Sequence, residues 1–288
     1  MSFQKIIHLL ICPDCKSELD DSAHCKTCKI TFKDNDGLLL NLIPRNTILS
    51  NRWILAQEKE SKFWQKEYEK FTPKFSRIVN FFQKSLTRFQ YLGKSFEAKT
   101  ILEVGCGPYG FLTGLSHFSK QFSNKNILIG IDPLLDIYKE FKVFEYATKD
   151  VIRFSALGEI LPFRNNSVDI LICQNVIDHV SFPRKVLAEF RRVLKNGGNL
   201  LIDVHTINPL MTLLIPLLDK IDTPHPHHFT HRTFKTLLEK EGFHINKFSI
   251  IPTLYDHPFF KYRSNPLLFI KFLGINVFLT QSYFFCQT

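Results

Sequence analysis

From Thr100 onward, apolar and polar residues alternate in blocks. The short runs "TILEV", "NILIGID", "VIRFSA", "VDILICQN" and "NLLIDVH" are apolar on both faces. Between them lie "FLTGLSHF", "LLDIYKEF" and "PRKVLAEFRRVL", whose apolar residues recur at helical spacing. Strands apolar on both faces, alternating with amphipathic helices, predict a parallel sheet covered on both sides. In the third helix Val186, Leu187, Phe190, Val193 and Leu194 share one face, and "KNGG" supplies a cationic end and a glycine stop. A further helix, "RTFKTLLEKEG", and two strands, "FHINKFSII" and "NVFLTQSYFFC", complete the pattern.

The first hundred residues read differently. Trp53, Ala56, Phe63, Trp64 and Phe71 recur at helical spacing between charged positions until Pro73. A second helix is expected in "KFSRIVNFFQKSLTRFQYL", ending at Gly93. Ahead of these, "DGLLLNLIPRN" reads as an apolar strand closed by Pro44. No repeat or low-complexity tract interrupts the chain.

At 288 residues the chain has room for a small domain and a large one. Its 44% hydrophobic and 22% charged residues are those of a soluble globular protein. The 29 phenylalanines suit a large aromatic core or an apolar cavity. Net charge is +10, thinly spread, with no basic run dense enough for a nucleic-acid arm. "MSFQKIIHLLICPDCK" lacks a secretory cleavage site, and the longest apolar stretch, "NPLMTLLIPLLDK", is broken by Pro216 and too short to span a bilayer. A cytoplasmic protein is expected, whose reduced thiols favour metal binding over disulfides.

Four of the seven cysteines, Cys12, Cys15, Cys25 and Cys28, form two Cys-x-x-Cys pairs nine residues apart. Each pair can grip one metal from a tight turn, and four thiolates complete a tetrahedron, so a structural zinc site is expected. His24 is a minor variant ligand.

Gly105, Gly107 and Gly110 in "LEVGCGPYG" have the G-x-G-x-x-G spacing of dinucleotide-binding loops. Glu103 stands where such folds carry an apolar residue, and three more motifs follow: "GIDP", "GEILPFRNNSVDILICQNVIDHV" and "EFRRVLKNGGNLLIDVH". Together, over about Thr100 to Ile250, they resemble class I S-adenosylmethionine-dependent methyltransferases, in particular the methyltransferase type 11 group. The resemblance implies an α/β, doubly wound, mostly parallel seven-stranded sheet. It implies a glycine loop, with Cys106, around the methionine part of the cofactor, and Glu103 beneath that loop. It places Asp132 on the ribose hydroxyls, and Gln174 and Asn175 at the methionine end. Where the family commonly carries Asp for the adenine this chain has Leu157, with Glu159 two positions on, so the backbone of Leu157 and Gly158 is expected there.

Methyl transfer from a sulfonium needs alignment and desolvation, and a base only for some acceptors. Candidate bases are His179, beside Asp178 in "NVIDHV", and His225 and His228 in "TPHPHHFTHRTF", with His205 and His227 nearby. His179 and the 225–228 segment are expected to face one another across the methyl group. A second metal site among these histidines is an alternative. The segment from "ICPDCKSEL" to "DGLLLNLIP" is similar to the zinc ribbons of small activator proteins that partner methyltransferases. Three parts are therefore expected: a zinc-ribbon-like domain (1–44), a helical linker and cofactor-site cap (45–98), and a methyltransferase domain (99–288). The leading expectation is methyl transfer to a small-molecule acceptor. The alternatives are an RNA methyltransferase positioned by the ribbon and a non-catalytic binding protein of the same fold.

Overall fold

The fold was obtained as a computed structural model that describes residues 3–32, 40–47, 49–71, 99–118, 125–140, 150–216, 225–252 and 279–288. The helix expected in 74–92 lies outside these residues, as do the end of "NPLMTLLIPLLDK" after 216 and the first residues of the strand expected in "NVFLTQSYFFC".

The N-terminal segment holds a two-residue antiparallel pair, β1 (His24–Cys25) and β2 (Ile30–Thr31). Helix α1 (Asn51–Phe71) follows. The large sheet is built from β3 (Thr100–Val104), β4 (Ile127–Ile131), β5 (Ile152–Phe154), β6 (Val168–Gln174), β7 (Leu194–Ile207), β8 (His244–Pro252) and β9 (Leu279–Gln287). Between the strands lie α2 (Phe111–Phe118), α3 (Leu135–Tyr138), α4 (Pro183–Val193) and α5 (His231–Lys240).

Among the described residues the sheet has seven strands in the order β5-β4-β3-β6-β7-β9-β8. The first five neighbours pair in parallel, and β9 runs antiparallel between β7 and β8. All residues of β3 and β5 are buried, including the charged Glu103 and Arg153. The chain leaves β3 toward β4 on one side and returns to β6 on the other. This order opens a crevice beyond the carboxyl ends of β3 and β6, where open α/β sheets bind ligands.

Two local features refine the sequence reading. The helix expected to stop at "KNGG" ends at Val193, just before it, and Leu194 already pairs with Val168 in β6. The next pair is Ile170 with Asn199, so residues 195–198 form a bulge inside β7. Gly197 takes φ +74° there, and a Cβ on Gly198 would lie 2.8 Å from the Lys195 carbonyl oxygen. In α1, Ala56 is buried as expected, but Phe63 is 54% exposed. Trp64 packs edge-on to Tyr109 of the glycine loop, at 5.9 Å between centroids.

The N-terminal segment is docked on the large sheet. Leu10 forms an antiparallel bridge with Phe163, the Ile11 N–H donates to the Pro162 carbonyl (3.1 Å), and the Arg164 N–H donates to the Leu9 carbonyl (2.9 Å). Further on, the Leu42 N–H donates to the Ser155 carbonyl (2.8 Å), and the Ser155 N–H to the Leu40 carbonyl (2.9 Å). Residues 40–42 thus form an isolated parallel bridge with Ser155, the residue after β5. Ile6, Leu10, Phe32 and Leu42 belong to the same apolar core as Phe154, Phe163 and Phe190. Helix α1 is tied to the start of α4, since the Ser50 N–H donates to the Ser181 hydroxyl (3.1 Å).

Candidate active site

A cavity of about 660 Å³ opens at the crevice beyond β3, β4, β6 and β7. Its floor is the glycine loop. The Gly105 and Cys106 N–H groups donate to the Ile131 carbonyl, which pins the loop to the end of β4. Gly105 has φ +71°, and a Cβ there would lie 2.2 Å from a Val176 methyl, so only glycine fits. Gly107, at φ +56°, has nothing within 4 Å of the position a Cβ would take. The loop backbone is therefore open to close approach by a ligand.

Glu103 and Asp132 fix this loop from below. The Glu103 carboxylate accepts the Phe111 N–H (2.6 Å) and the Leu112 N–H (2.9 Å) in the first turn of α2. Asp132 accepts the Gly107 N–H (2.9 Å) on one oxygen and the Leu134 N–H (2.9 Å) on the other. Each oxygen keeps a further lone pair. Burial pushes the carboxyl of Glu103 up to about 7 and that of Asp132 up to about 6, against the pull of these N–H donors and of Arg153. Arg153, a buried cation in β5, donates to the carbonyls of Pro108 (3.1 Å) and Gly107 and to the Cys106 sulfur (3.0 Å). Burial raises the Cys106 thiol to about 12, so it is neutral at physiological pH.

The far wall is set by Asp203, which is buried in β7. It accepts the Gln174 amide (3.3 Å), the Asn175 N–H (3.1 Å) and the Gln281 amide of β9 (2.9 Å). Leu157 and Gly158 line the cavity. Glu159 also lines it, but its carboxylate accepts the Ser181 N–H (2.7 Å) and the Phe182 N–H (3.3 Å), capping α4. The roof is α1, whose Trp53, Gln57, Glu60 and Trp64 fall on one helical face. Among the described residues, five carboxylates (Glu60, Glu103, Asp132, Glu159 and Asp203) and no lysine or arginine line the cavity, in a chain of net charge +10.

Residues 102–202, which carry this loop and the strands around it, match the family model of a methyltransferase domain. The chain carries a methyltransferase domain. It is 34% identical over 152 residues to the uncharacterized protein MJ0638 of Methanocaldococcus jannaschii, covering 51% of this chain and 61% of that one. It is 28% identical over 158 residues to the tRNA U34 carboxymethyltransferase of Campylobacter curvus, covering 54% and 50%. The chain thus spans about half to three-fifths of the length of these curated relatives. A chain of the crystallised complex between the Haloferax volcanii Trm112 methyltransferase activator and a methyltransferase shares the fold. The TM-score is 0.54 at 15% identity, covering 83% of this chain and 99% of that one.

The four cysteines lie apart from the cavity of the methyltransferase domain. Their sulfurs are mutually within 4.8 Å; Cys12 and Cys28 are 3.8 Å apart, Cys15 and Cys25 3.5 Å. A tetrahedron with zinc–sulfur bonds of about 2.3 Å has sulfurs about 3.8 Å apart, so the residues fit that ion. The residue after each pair, Lys16 or Lys29, has positive φ, which turns the backbone tightly around the sulfurs. The Cys28 N–H donates to the Cys25 sulfur (3.3 Å), and the Ser17 hydroxyl and N–H hold the Cys15 thiol down at about 6. His24 instead faces Thr31, with Nδ1 3.0 Å from the hydroxyl.

Of the histidines, His179 and His205 line the cavity; His225 and His228 do not. The His225 ring lies against that of His179, with 4.7 Å between centroids. His227 turns away, its Nε2 3.0 Å from the Val180 carbonyl oxygen. No described helix is long and apolar enough to cross a membrane.

Proposed function

We propose that the chain is an S-adenosylmethionine-dependent methyltransferase that takes its cofactor in the cavity beyond β3 and β4. The observation that carries this reading is the charge of the lining. A pocket whose described lining holds five carboxylates and no lysine or arginine, inside a basic protein, favours a cationic ligand, and S-adenosylmethionine bears a sulfonium and an ammonium. When bound, that cofactor supplies a methyl group activated for in-line displacement. Asp132 would hold the ribose hydroxyls, the Gly105–Gly107 backbone the methionine part, and Leu157 and Gly158 the adenine. Trp53 and Trp64 close the cavity above it and exclude water.

Two predictions test the cofactor assignment. Trp53 and Trp64 are the chain's two tryptophans and both line the cavity, so cofactor titration is expected to change intrinsic fluorescence directly. Asp132→Ala is expected to weaken binding by about 1–3 kcal/mol, the cost of losing hydrogen bonds to a charged acceptor. Unchanged affinity refutes the ribose assignment. Only the ionised carboxylate accepts on both oxygens, and burial sets that carboxyl at about 6. Affinity is therefore expected to be flat well above pH 6 and to fall as pH drops through it. An affinity that rises on acidification has the wrong sign for this contact.

For the acceptor we favour RNA. The support is the tRNA-modifying relative, the positive charge outside an acidic cavity, and a ribbon-like segment with the cysteine geometry of a zinc site in the reducing cytoplasm. Phosphates would stay on the basic exterior while a single base approaches the cavity. The closed roof of Trp53 and Trp64 favours the second reading, a small, partly apolar acceptor. Radiolabelled methyl transfer into RNA and metabolite fractions of a cell extract separates the two. We assign zinc a structural role, since four thiolates leave no open coordination position. We also keep the division into 1–44, 45–98 and 99–288 as functional parts.

A further inference from the structure

Asp178 and His179 follow β6, and His225 precedes α5, so the fold brings together residues 46 positions apart. The Asp178 side chain is 3% exposed, and its buried Oδ1 has no hydrogen-bond partner. Such an oxygen is costly unless something positive meets it. What faces it is His179, with Nε2 4.0 Å from Oδ1, and then His225 against His179. One donor atom from each of the three residues lies within 4.8 Å of the others. The backbone holds the group in place. The His227 N–H donates to the Asp178 carbonyl (3.3 Å), and Arg52 donates to the His225 carbonyl (3.4 Å).

We propose that Asp178, His179 and His225 form a second metal site, for a first-row divalent cation, in the cavity wall. Two imidazoles and one carboxylate suit zinc, cobalt, manganese or iron(II), and hard cations such as magnesium less. Ligand bonds of about 2.0–2.2 Å place donor atoms about 3.0–3.5 Å apart, so from a spread of at most 4.8 Å the cluster must contract by up to about 1.3–1.8 Å at its widest pair. Rotation of the His179 and His225 side chains is enough for that. Three protein ligands leave coordination positions free, and because His179 lines the cavity these face the ligand space. The site is independent of the four-cysteine cluster and does not rest on the identity of the acceptor.

The test is cobalt(II) titration of the full chain with zinc already in its cysteines. The wild type is expected to bind one further equivalent, giving weak visible d–d bands without thiolate charge transfer. Asp178→Asn and His225→Ala are expected to lower the affinity for that equivalent at least tenfold. Cobalt in place of zinc at the cysteines gives intense charge-transfer bands, and these report whether each variant is folded. Should either variant fail to fold, proton NMR of the cobalt-loaded wild type decides, because two histidine ligands give hyperfine-shifted imidazole N–H signals. No further equivalent at millimolar cobalt, d–d bands that persist in both folded variants, or the absence of shifted imidazole signals overturns the proposal.

Discussion

Stripping the zinc we assign to the four-cysteine cluster, by chelation or by Cys25→Ser, is expected to unfold residues 3–32 and to lower the melting temperature of the entire described fold. A segment this short buries too little apolar surface to hold itself together. A structural zinc contributes about 10–16 kcal/mol of apparent binding free energy at neutral pH, as much as or more than the roughly 5–15 kcal/mol net stability of a typical domain. Docking carries the effect outward. Ile6, Leu10 and Phe32 share one core with Phe154, Phe163 and Phe190, and Leu10 pairs with Phe163 through the backbone. Calorimetry is therefore expected to show one transition that moves down on metal removal, in parallel with zinc loss. Two separate transitions, with only a small one responding to chelator, would show that the segment folds on its own account.

Arg153→Met is expected to cost about 3–5 kcal/mol of stability, the range for removing one partner from a buried charged group. The substitution keeps much of the side chain's volume but leaves the Pro108 and Gly107 carbonyls without their guanidinium donor. It also removes the cation that opposes burial at both Glu103 and Asp132. The sign of the pH effect follows. Both carboxyls titrate higher folded than unfolded, so the folded state holds more protons and stability falls as pH rises from ordinary carboxylate values through about 6 and 7. Without Arg153 both carboxyls rise further, so the variant is expected to lose stability over a window that extends higher in pH. Denaturant unfolding of both proteins at several pH values measures this, and parallel curves would mean that Arg153 does not act on these carboxylates.

The two-sided apolar runs of β3 to β7 were legible in the sequence because burial on both faces leaves no polar alternation to disguise them. Glu103, Asp132 and the glycines were legible because a strand end followed by residues tolerant of positive φ is a local signal. Arg153 and Asp203 had a signal that went unused: a charged residue inside an apolar strand must find buried partners. Gln281 had none, since its contact with Asp203 is made by a strand inserted from 78 residues away. The spacing of Trp53 and Trp64 predicts a helix on which the two share a face. Helical spacing shows which residues share a face, not whether that face meets a core or a cavity. The helix stop at "KNGG" was legible, but the bulge that the same residues form inside β7 was not, because Lys-Asn-Gly-Gly ends a helix or kinks a strand equally well.

Residues 40–42 bracket Ser155, just past the end of the edge strand β5, which would otherwise present a bare N–H and carbonyl to any passing strand. The N-terminal segment therefore shields the sheet from self-association as well as joining its core. Cutting the chain at residue 44 would leave a sticky rim beside Phe154 and Phe163, and such a truncated protein should dimerise edge to edge or precipitate. The same rim makes the missing piece replaceable: a separate peptide carrying Leu40 to Leu42 could add itself back as a strand and restore a monodisperse monomer.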